Sequence, residues 1–272
     1  MKKLIISICL LIFCSKGFAL NPSRTYPVMP ETIGLTKQVF KIKITDKIQL
    51  HSWVFVQKDR NKPFVIISNS DGGNMGYCLA QAHAFFSGGY NVVLYDYRGF
   101  GESSDFQLNK NMMYYDEFAD DLRATVAFVK QQYKTDSIVL YGISMGTIIS
   151  DIVMQEDLSI KGGIFDSFSI NPKLVAQRVF TKKNKTVLLP DGAENYIAGN
   201  KKKLRVPVLL FSGLKDQMTR STDYTDFLLL NKESKMVTWD CDHIECVYAM
   251  SKDSQSDLYI KEIKSYINSL NI

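Results

Sequence analysis

The stretch Ser137-Ile138-Val139-Leu140-Tyr141-Gly142-Ile143-Ser144-Met145-Gly146-Thr147 decides the fold. Ile138 to Tyr141 are apolar and uncharged, as a strand buried on both faces requires. Gly142-Ile143-Ser144-Met145-Gly146 then matches G-x-S-x-G, and Thr147 to Met154 read as a helix. Strand, glycine–serine–glycine, helix is the order of a nucleophile elbow. Such a turn holds its serine in a sparsely populated backbone conformation. A side chain two positions to either side would strike the neighbouring strand or helix, so glycine is wanted there. The turn lifts the hydroxyl above the sheet edge and sets a helix N-terminus beneath it, where backbone N–H groups can stabilise an oxyanion. The plainer alternative is a tight strand–helix turn with a solvent-facing serine.

On either side of this stretch, short apolar strands alternate with amphipathic helices. Strands are expected at Phe64–Ile67, Asn91–Tyr95, Lys161–Phe165, Val208–Phe211 and Met236–Trp239. Helices are expected at Tyr77–Ser87, Asp116–Tyr133, Thr222–Leu230 and Asp257–Leu270. In the second of these, Phe118, Leu122, Val126 and Val129 share one face. Two earlier runs, Gln38–Ile44 and Ile48–Gln57, joined at Asp46-Lys47, read as an antiparallel start to the sheet. Repeated strand–helix alternation means an α/β domain with a parallel sheet covered on both faces. Between Asp166 and Val206 the rhythm breaks, with basic runs Lys182-Lys183-Asn184-Lys185 and Lys201-Lys202-Lys203. The segment at about 167–203 is too long for a simple loop and is expected to be a cap-like insertion beside the site.

The chain opens with a segment that reads as a secretory signal, residues 1–19. Lys2 and Lys3 form its positive end, Leu4 to Phe13 its apolar core, and Gly17-Phe18-Ala19 its cleavage site. The core is too short to span a bilayer. Cleavage after Ala19 and export from a bacterial cytoplasm, to the periplasm or beyond, are the expectation; an uncleaved anchor is the alternative. Residues 20–36 read as an extended lead-in, and 37–272 as the folded domain. The net charge of +5 includes three signal lysines and no signal acids, so the mature chain carries +2. That near-neutral balance gives no reason to invoke nucleic acid. Cys78, Cys241 and Cys246 would remain after cleavage. In an oxidising compartment Cys241 and Cys246 could close a small loop around His243; otherwise all three are reduced and partly buried. No Cys-x-x-Cys pair or histidine cluster points to a structural metal.

A serine needs a base, and the chain has three histidines. His51 lies inside an early strand and His83 on a helix flanking the sheet, and both read as structural. His243, in Asp240-Cys241-Asp242-His243-Ile244-Glu245, follows the last strand. Active sites of open parallel sheets form at the carboxyl ends of strands, so His243 is the candidate base. The base needs a carboxylate to fix its tautomer. Asp216, in Phe211-Ser212-Gly213-Leu214-Lys215-Asp216, is preferred, and Asp166 after the preceding strand is its rival.

Together these residues resemble the α/β-hydrolase superfamily, in particular small single-domain serine hydrolases with an Asp-Tyr-Arg-Gly-x-Gly segment. Here that segment is Asp96-Tyr97-Arg98-Gly99-Phe100-Gly101. The resemblance runs from about Phe64 to the C-terminus. It implies an eight-stranded, mostly parallel sheet with helices on both faces and a Ser144–His243–Asp216 triad. It gives Arg98 no catalytic role. The family's oxyanion loop usually begins His-Gly, whereas this chain reads Asn69-Ser70-Asp71-Gly72-Gly73-Asn74. Aligned on the Gly-Asn ending, Asp71 supplies one backbone donor and Met145 the other. An aspartate side chain beside an oxyanion would raise its energy unless turned away. Serine at the elbow argues against relatives that use an aspartate nucleophile. The expected activity is hydrolysis of a carboxylic ester or thioester without metal or cofactor, on a small acyl substrate. A peptidase or amidase, and a non-catalytic binding protein, are the alternatives.

Overall fold

The computed structural model describes residues 19–59, 61–201, 203–251 and 256–272. All but the last residue of the expected signal lies outside these, as does Lys202 of the second basic run. One eight-stranded sheet organises the chain. Its strands are β1 (Gln38–Lys43), β2 (Gln49–Phe55), β3 (Phe64–Ser68), β4 (Asn91–Tyr95), β5 (Ile138–Ile143), β6 (Ile160–Asp166), β7 (Val208–Gly213) and β8 (Lys235–Trp239). Their spatial order is β8-β7-β6-β5-β3-β4-β2-β1. The pairings β1–β2 and β2–β4 are antiparallel, and all others are parallel. This is the mostly parallel sheet that the sequence predicts.

Alternation along the strands explains why they read as unbroken apolar runs. Ile66, Val93, Leu140 and Leu210 face one layer, where α2 (Tyr115–Tyr133) and α3 (Met145–Glu156) pack. Their neighbours Val65, Ile67, Val92, Val139 and Leu209 face the other, covered by α1 (Leu79–Ser87) and α8 (Ser256–Ser269). Helix α8 buries Tyr259, Ile263 and Ile267 as expected, while Leu270 is only partly buried. With both faces dry, no strand position from Phe64 to Ser68 or from Ile138 to Ile143 is exposed, and polar alternation disappears.

Two segments carry secondary structure that the sequence reading does not specify. The insertion after β6 contains two helices, α4 (Pro172–Lys183) and α5 (Ala193–Gly199). Helix α4 starts on Asn171, whose side chain accepts the Leu174 N–H, with proline just inside the first turn. It stops at Asn184 in the left-handed region, φ +50°. Its apolar residues are scattered and only Pro172 is buried, so helical periodicity was too weak to read. The lead-in is more than extended chain. Asn21–Pro22 forms a short parallel ladder with Gly72–Gly73, and Pro30–Ile33 is a 3-10 turn. Three further short elements are the 3-10 turn Ser221–Tyr224, α6 (Thr225–Leu230) and α7 (Cys246–Ala249). Among the described residues no helix is long and apolar enough to cross a membrane.

Helix α3 carries one buried acid, Asp151. Its Oδ2 accepts a hydrogen bond from Gln155 Nε2 at 2.9 Å, and its Oδ1 has no hydrogen-bond partner. Burial pushes this carboxyl up to about 7. The unfolded value is near 3.9, so between these limits the native state holds the proton more tightly. Stability therefore falls as pH rises through that window. Asp151→Asn should stabilise the protein by roughly 1–3 kcal/mol at pH 8, and by much less at pH 5. Thermal unfolding of both proteins at the two pH values checks the sign.

Candidate active site

Strand β5 ends at Ile143, α3 begins at Met145, and Ser144 makes the whole turn between them. Its backbone sits at φ +51°, ψ −111°, a region costly for any residue with a Cβ. Close packing explains the two glycines. A Cβ on Gly142 would lie 2.5 Å from the Gly146 carbonyl oxygen, and one on Gly146 would lie 2.2 Å from that of Ser68. The serine is pinned by its own backbone. Its N–H donates to Asp166 O at 2.9 Å, and its carbonyl accepts from Thr147 N at 3.0 Å. The Thr147 hydroxyl donates to the same carbonyl and accepts from Ser169 N.

Three of the sequence-predicted residues meet at the carboxyl edge of the sheet. Ser144 Oγ lies 3.0 Å from His243 Nε2. His243 Nδ1 lies 2.8 Å from Asp216 Oδ2. Asp216 is held in turn: Oδ1 accepts from Met218 N at 2.7 Å and Thr219 N at 3.0 Å, and Oδ2 accepts from the Thr219 hydroxyl at 2.5 Å. Burial alone would raise this carboxyl. The hydrogen bond and charge of His243, with the Thr219 donors, outweigh it and hold Asp216 below the usual carboxylate range. Asp216 is fully buried at its side chain, while the imidazole keeps a quarter of its surface. The imidazole is thus open to solvent, while the carboxylate it bonds is shut away.

The rival acid occupies a different place. Asp166 is fully buried behind the histidine loop, near the Tyr141 hydroxyl at 3.3 Å and the Ser167 hydroxyl at 3.2 Å. Burial pushes its carboxyl up to about 7, against the opposing pull of His243. The two remaining histidines stand apart from the site. His51 is buried in β2 and accepts from the Trp53 indole at 3.2 Å; His83 is exposed on α1. Arg98 is also structural, since its guanidinium and backbone N–H grip Asp121 at 2.7 to 2.8 Å.

The loop after β3 passes beside the elbow. Asn69, which stands where a histidine was expected, shapes it from within: its Oδ1 accepts from Ser70 N at 2.8 Å and its Nδ2 donates to Gly72 O at 3.0 Å. The side-chain amide thus braces its own loop through both a donor and an acceptor. Asp71 is half-buried. Burial raises its carboxyl, while its own backbone N–H, His243 and the cap lysines Lys183 and Lys185 pull the other way. Met145 N–H opens α3 and has no intrahelical acceptor. Met145 directly follows Ser144, and the loop carrying Asp71 leaves β3 where Gly146 packs against Ser68 O and Asn69 O.

Two contributors were not singled out in the sequence. Thr219 Oγ1 bonds Asp216 and lies 3.3 Å from His243 Nδ1. Ser167, at φ +58°, accepts the Ile244 N–H at 2.9 Å and so anchors the histidine loop. The spacing Asp-x-x-Thr was the only available signal for the first. Cys78, Cys241 and Cys246 are buried and unbridged, with the sulfurs of the last two 3.3 Å apart.

Comparison with known proteins agrees with this architecture. The family model described as serine aminopeptidase, S33, matches residues 59–189. The protein bem46 of Schizosaccharomyces pombe is 28% identical over 85 residues, covering 30% of this chain and 28% of that protein. The uncharacterised protein YfhR of Escherichia coli O157:H7 is 24% identical over 209 residues, 75% of this chain and 69% of its own length. The esterase Pf2001 of Pyrococcus furiosus superposes with a TM-score of 0.70 at 20% identity, covering 88% of this chain and 96% of that one. A CIB-like hydrolase of Thermoplasma acidophilum superposes with a TM-score of 0.60 at 15% identity, covering 88% of this chain and 100% of its own. The chain has the fold of the α/β hydrolases that it superposes on. The matched family model and this fold support a hydrolase.

The elbow packing is directly testable. Gly146→Ala should cost about 3 kcal/mol or more, since a methyl group cannot share space with two backbone carbonyls. Thermal unfolding should show a large fall in midpoint, or no soluble protein at all. A midpoint like that of the wild type would mean that α3 and β3 do not approach so closely.

Proposed function

We propose that this chain is a serine hydrolase that cleaves a carboxylic ester or thioester through an acyl-enzyme. The observation that carries this reading is the unbroken chain from Ser144 Oγ to His243 at 3.0 Å and from His243 to Asp216 at 2.8 Å. In it, His243 Nε2 takes the Ser144 proton as Oγ attacks the substrate carbonyl. Asp216 holds the Nδ1–H tautomer and stabilises the imidazolium that forms. The Met145 and Asp71 N–H groups receive the developing oxyanion. The imidazolium returns its proton to the leaving alcohol or thiol, and the acyl group stays on Oγ. Water, deprotonated by the same histidine, then releases the acid and restores the serine.

Hydrolysis of an amide is the second reading, because the matched family is described as a serine aminopeptidase. Amine departure demands the same proton from His243, so the triad alone does not separate the two. The ester reading is preferred because the insertion between β6 and β7 is short, its helices among the described residues being α4 and α5. Matched p-nitrophenyl esters and p-nitroanilides decide between them: faster turnover of the anilides per enzyme would favour the amide reading. Export to the periplasm or beyond belongs to this proposal too, and rests on the character of residues 1–19.

A fluorophosphonate probe should label the wild type and fail on Ser144→Ala. A folded wild type that stays unlabelled would leave a binding protein as the better reading. Asp216→Asn should lower ester kcat by about 10⁴-fold, because the histidine loses its tautomer-fixing partner. Asp166→Asn should stay within roughly tenfold of wild type, a loss of supporting hydrogen bonds only. The reverse ranking in steady-state kinetics would reassign the acid.

A further inference from the structure

The oxyanion loop is short of internal support. Gly72 and Gly73 follow Asp71 directly, and Gly73 stands at φ +75°. Such a pair is free to move unless its backbone groups are tied down. Asn69 takes care of the Gly72 carbonyl. The other two ties come from the far end of the chain. Asn21 N donates to Asp71 O at 2.9 Å, and Ser23 N donates to Gly73 O at 2.7 Å. Asn74 answers from the loop, its Nδ2 donating to Ser23 O at 3.1 Å and Thr25 O at 2.9 Å.

The lead-in is anchored on its other side as well. Leu20 is fully buried, and its N–H donates to Lys110 O at 2.7 Å. Ser23 O accepts from Gly101 N at 2.9 Å. Arg24 donates to the carbonyls of Gly101 at 3.0 Å and Ser103 at 2.6 Å, and pairs with Asp105. The Tyr26 hydroxyl bonds Asp96 Oδ2, whose other oxygen accepts Met75 N at 2.8 Å. Residues 20–26 therefore bridge the loop after β3 to the loop after β4, at the edge of the sheet where Ser144 stands.

We infer that residues 20–26 are a strap that positions the oxyanion loop, with the Asn21 backbone N–H as the positioning group for Asp71. The inference rests on the serine hydrolase reading, in which the Asp71 N–H meets the oxyanion. A donor of that kind stabilises charge only when it is already aimed, and a small displacement weakens it sharply. The Asn21–Asp71 bond fixes the Asp71 carbonyl, and with it the backbone torsions of the residue whose N–H is the donor. No side chain of the strap touches the reacting atoms, so its effect falls on the transition state and not on substrate affinity.

The test compares Asn21→Pro with Asn21→Ala in the full chain. Both lose the exposed Asn21 side chain, but only proline loses the N–H. Two readouts are taken: the rate constant of fluorophosphonate labelling, which needs no natural substrate, and kcat and KM on a p-nitrophenyl ester. Asn21→Pro should label, and turn over, about ten- to a hundredfold more slowly with KM unchanged, while Asn21→Ala matches the wild type. Equal rates in both variants would overturn the strap. If Asn21→Pro does not fold, Arg24→Ala decides, since it cuts the outer anchor and leaves every backbone donor in place. It should slow labelling about threefold or more, and an unchanged rate overturns the proposal. A folded wild type that the probe does not label is a different failure: it removes the hydrolase reading, and the strap's catalytic role goes with it.

Discussion

The approach of α3 to the end of β3 is the constraint on which this site depends. With Gly146 seated against the carbonyls of Ser68 and Asn69, helix and strand come closer than any side chain would allow. That contact forces Ser144 into its positive-φ turn, because β5 must reverse into α3 within one residue. It also brings the loop leaving β3, which carries Asp71, past the elbow. The elbow serine and the start of the Asp71 loop are thus set by one packing event. Strain at Ser144 is tolerated because the surrounding bonds over-determine it, from Asp166 O on one side and Thr147 on the other.

Two buried carboxylates lie close behind the histidine, and their surroundings drive them apart. Asp216 accepts four hydrogen bonds, from two N–H groups, a hydroxyl and the imidazole. Asp166 meets two hydroxyls and no N–H from its own loop. Several donors keep a carboxylate charged, whereas burial with fewer of them favours the protonated form. The directions agree, with Asp216 below the ordinary range and Asp166 up at about 7. Only the first can serve as a fixed negative charge at neutral pH. With its carboxyl raised to about 7, Asp166 places less negative charge beside it at neutral pH than an ordinary aspartate would.

Much of this was legible in the sequence because parallel strands buried on both faces are written as unbroken apolar runs. Ser144, Asp216 and His243 could be singled out because each follows the end of such a run, where parallel sheets carry their chemistry. Spatial order was not legible. β3 lies between β5 and β4 in the sheet, and hydropathy says which residues are buried but not beside what. Thr219 and Ser167 escaped for a related reason. A loop hydroxyl has no periodicity, and its value lies in the atom it reaches: Asp216 Oδ2 in one case and Ile244 N in the other. Asn69 shows the converse. It stands where the family usually has a histidine, and its amide bonds Ser70 N and Gly72 O within the loop.

The least legible segments are the ones that hold the site from outside. The lead-in, rich in proline and threonine, has no apolar period, and the cap helix α4 buries only Pro172. Both act through polar bonds to distant backbone. The lead-in ties the loop of Asp71 through Asn21 and Ser23. On the opposite side, α4 ties the loop of Asp216: Arg178 donates to Met218 O at 2.9 Å and pairs with the half-buried Asp223. Met218 is one of the residues whose N–H groups hold the Asp216 carboxylate. The Asp71 loop and the Asp216 loop are therefore braced by two segments lying outside the alternating strand–helix frame. A carboxylate or a backbone donor must be aimed to within a fraction of an ångström to matter in a transition state. Sheet and helices bring these groups together, but the final aim is set by a few hydrogen bonds that no hydropathy pattern records.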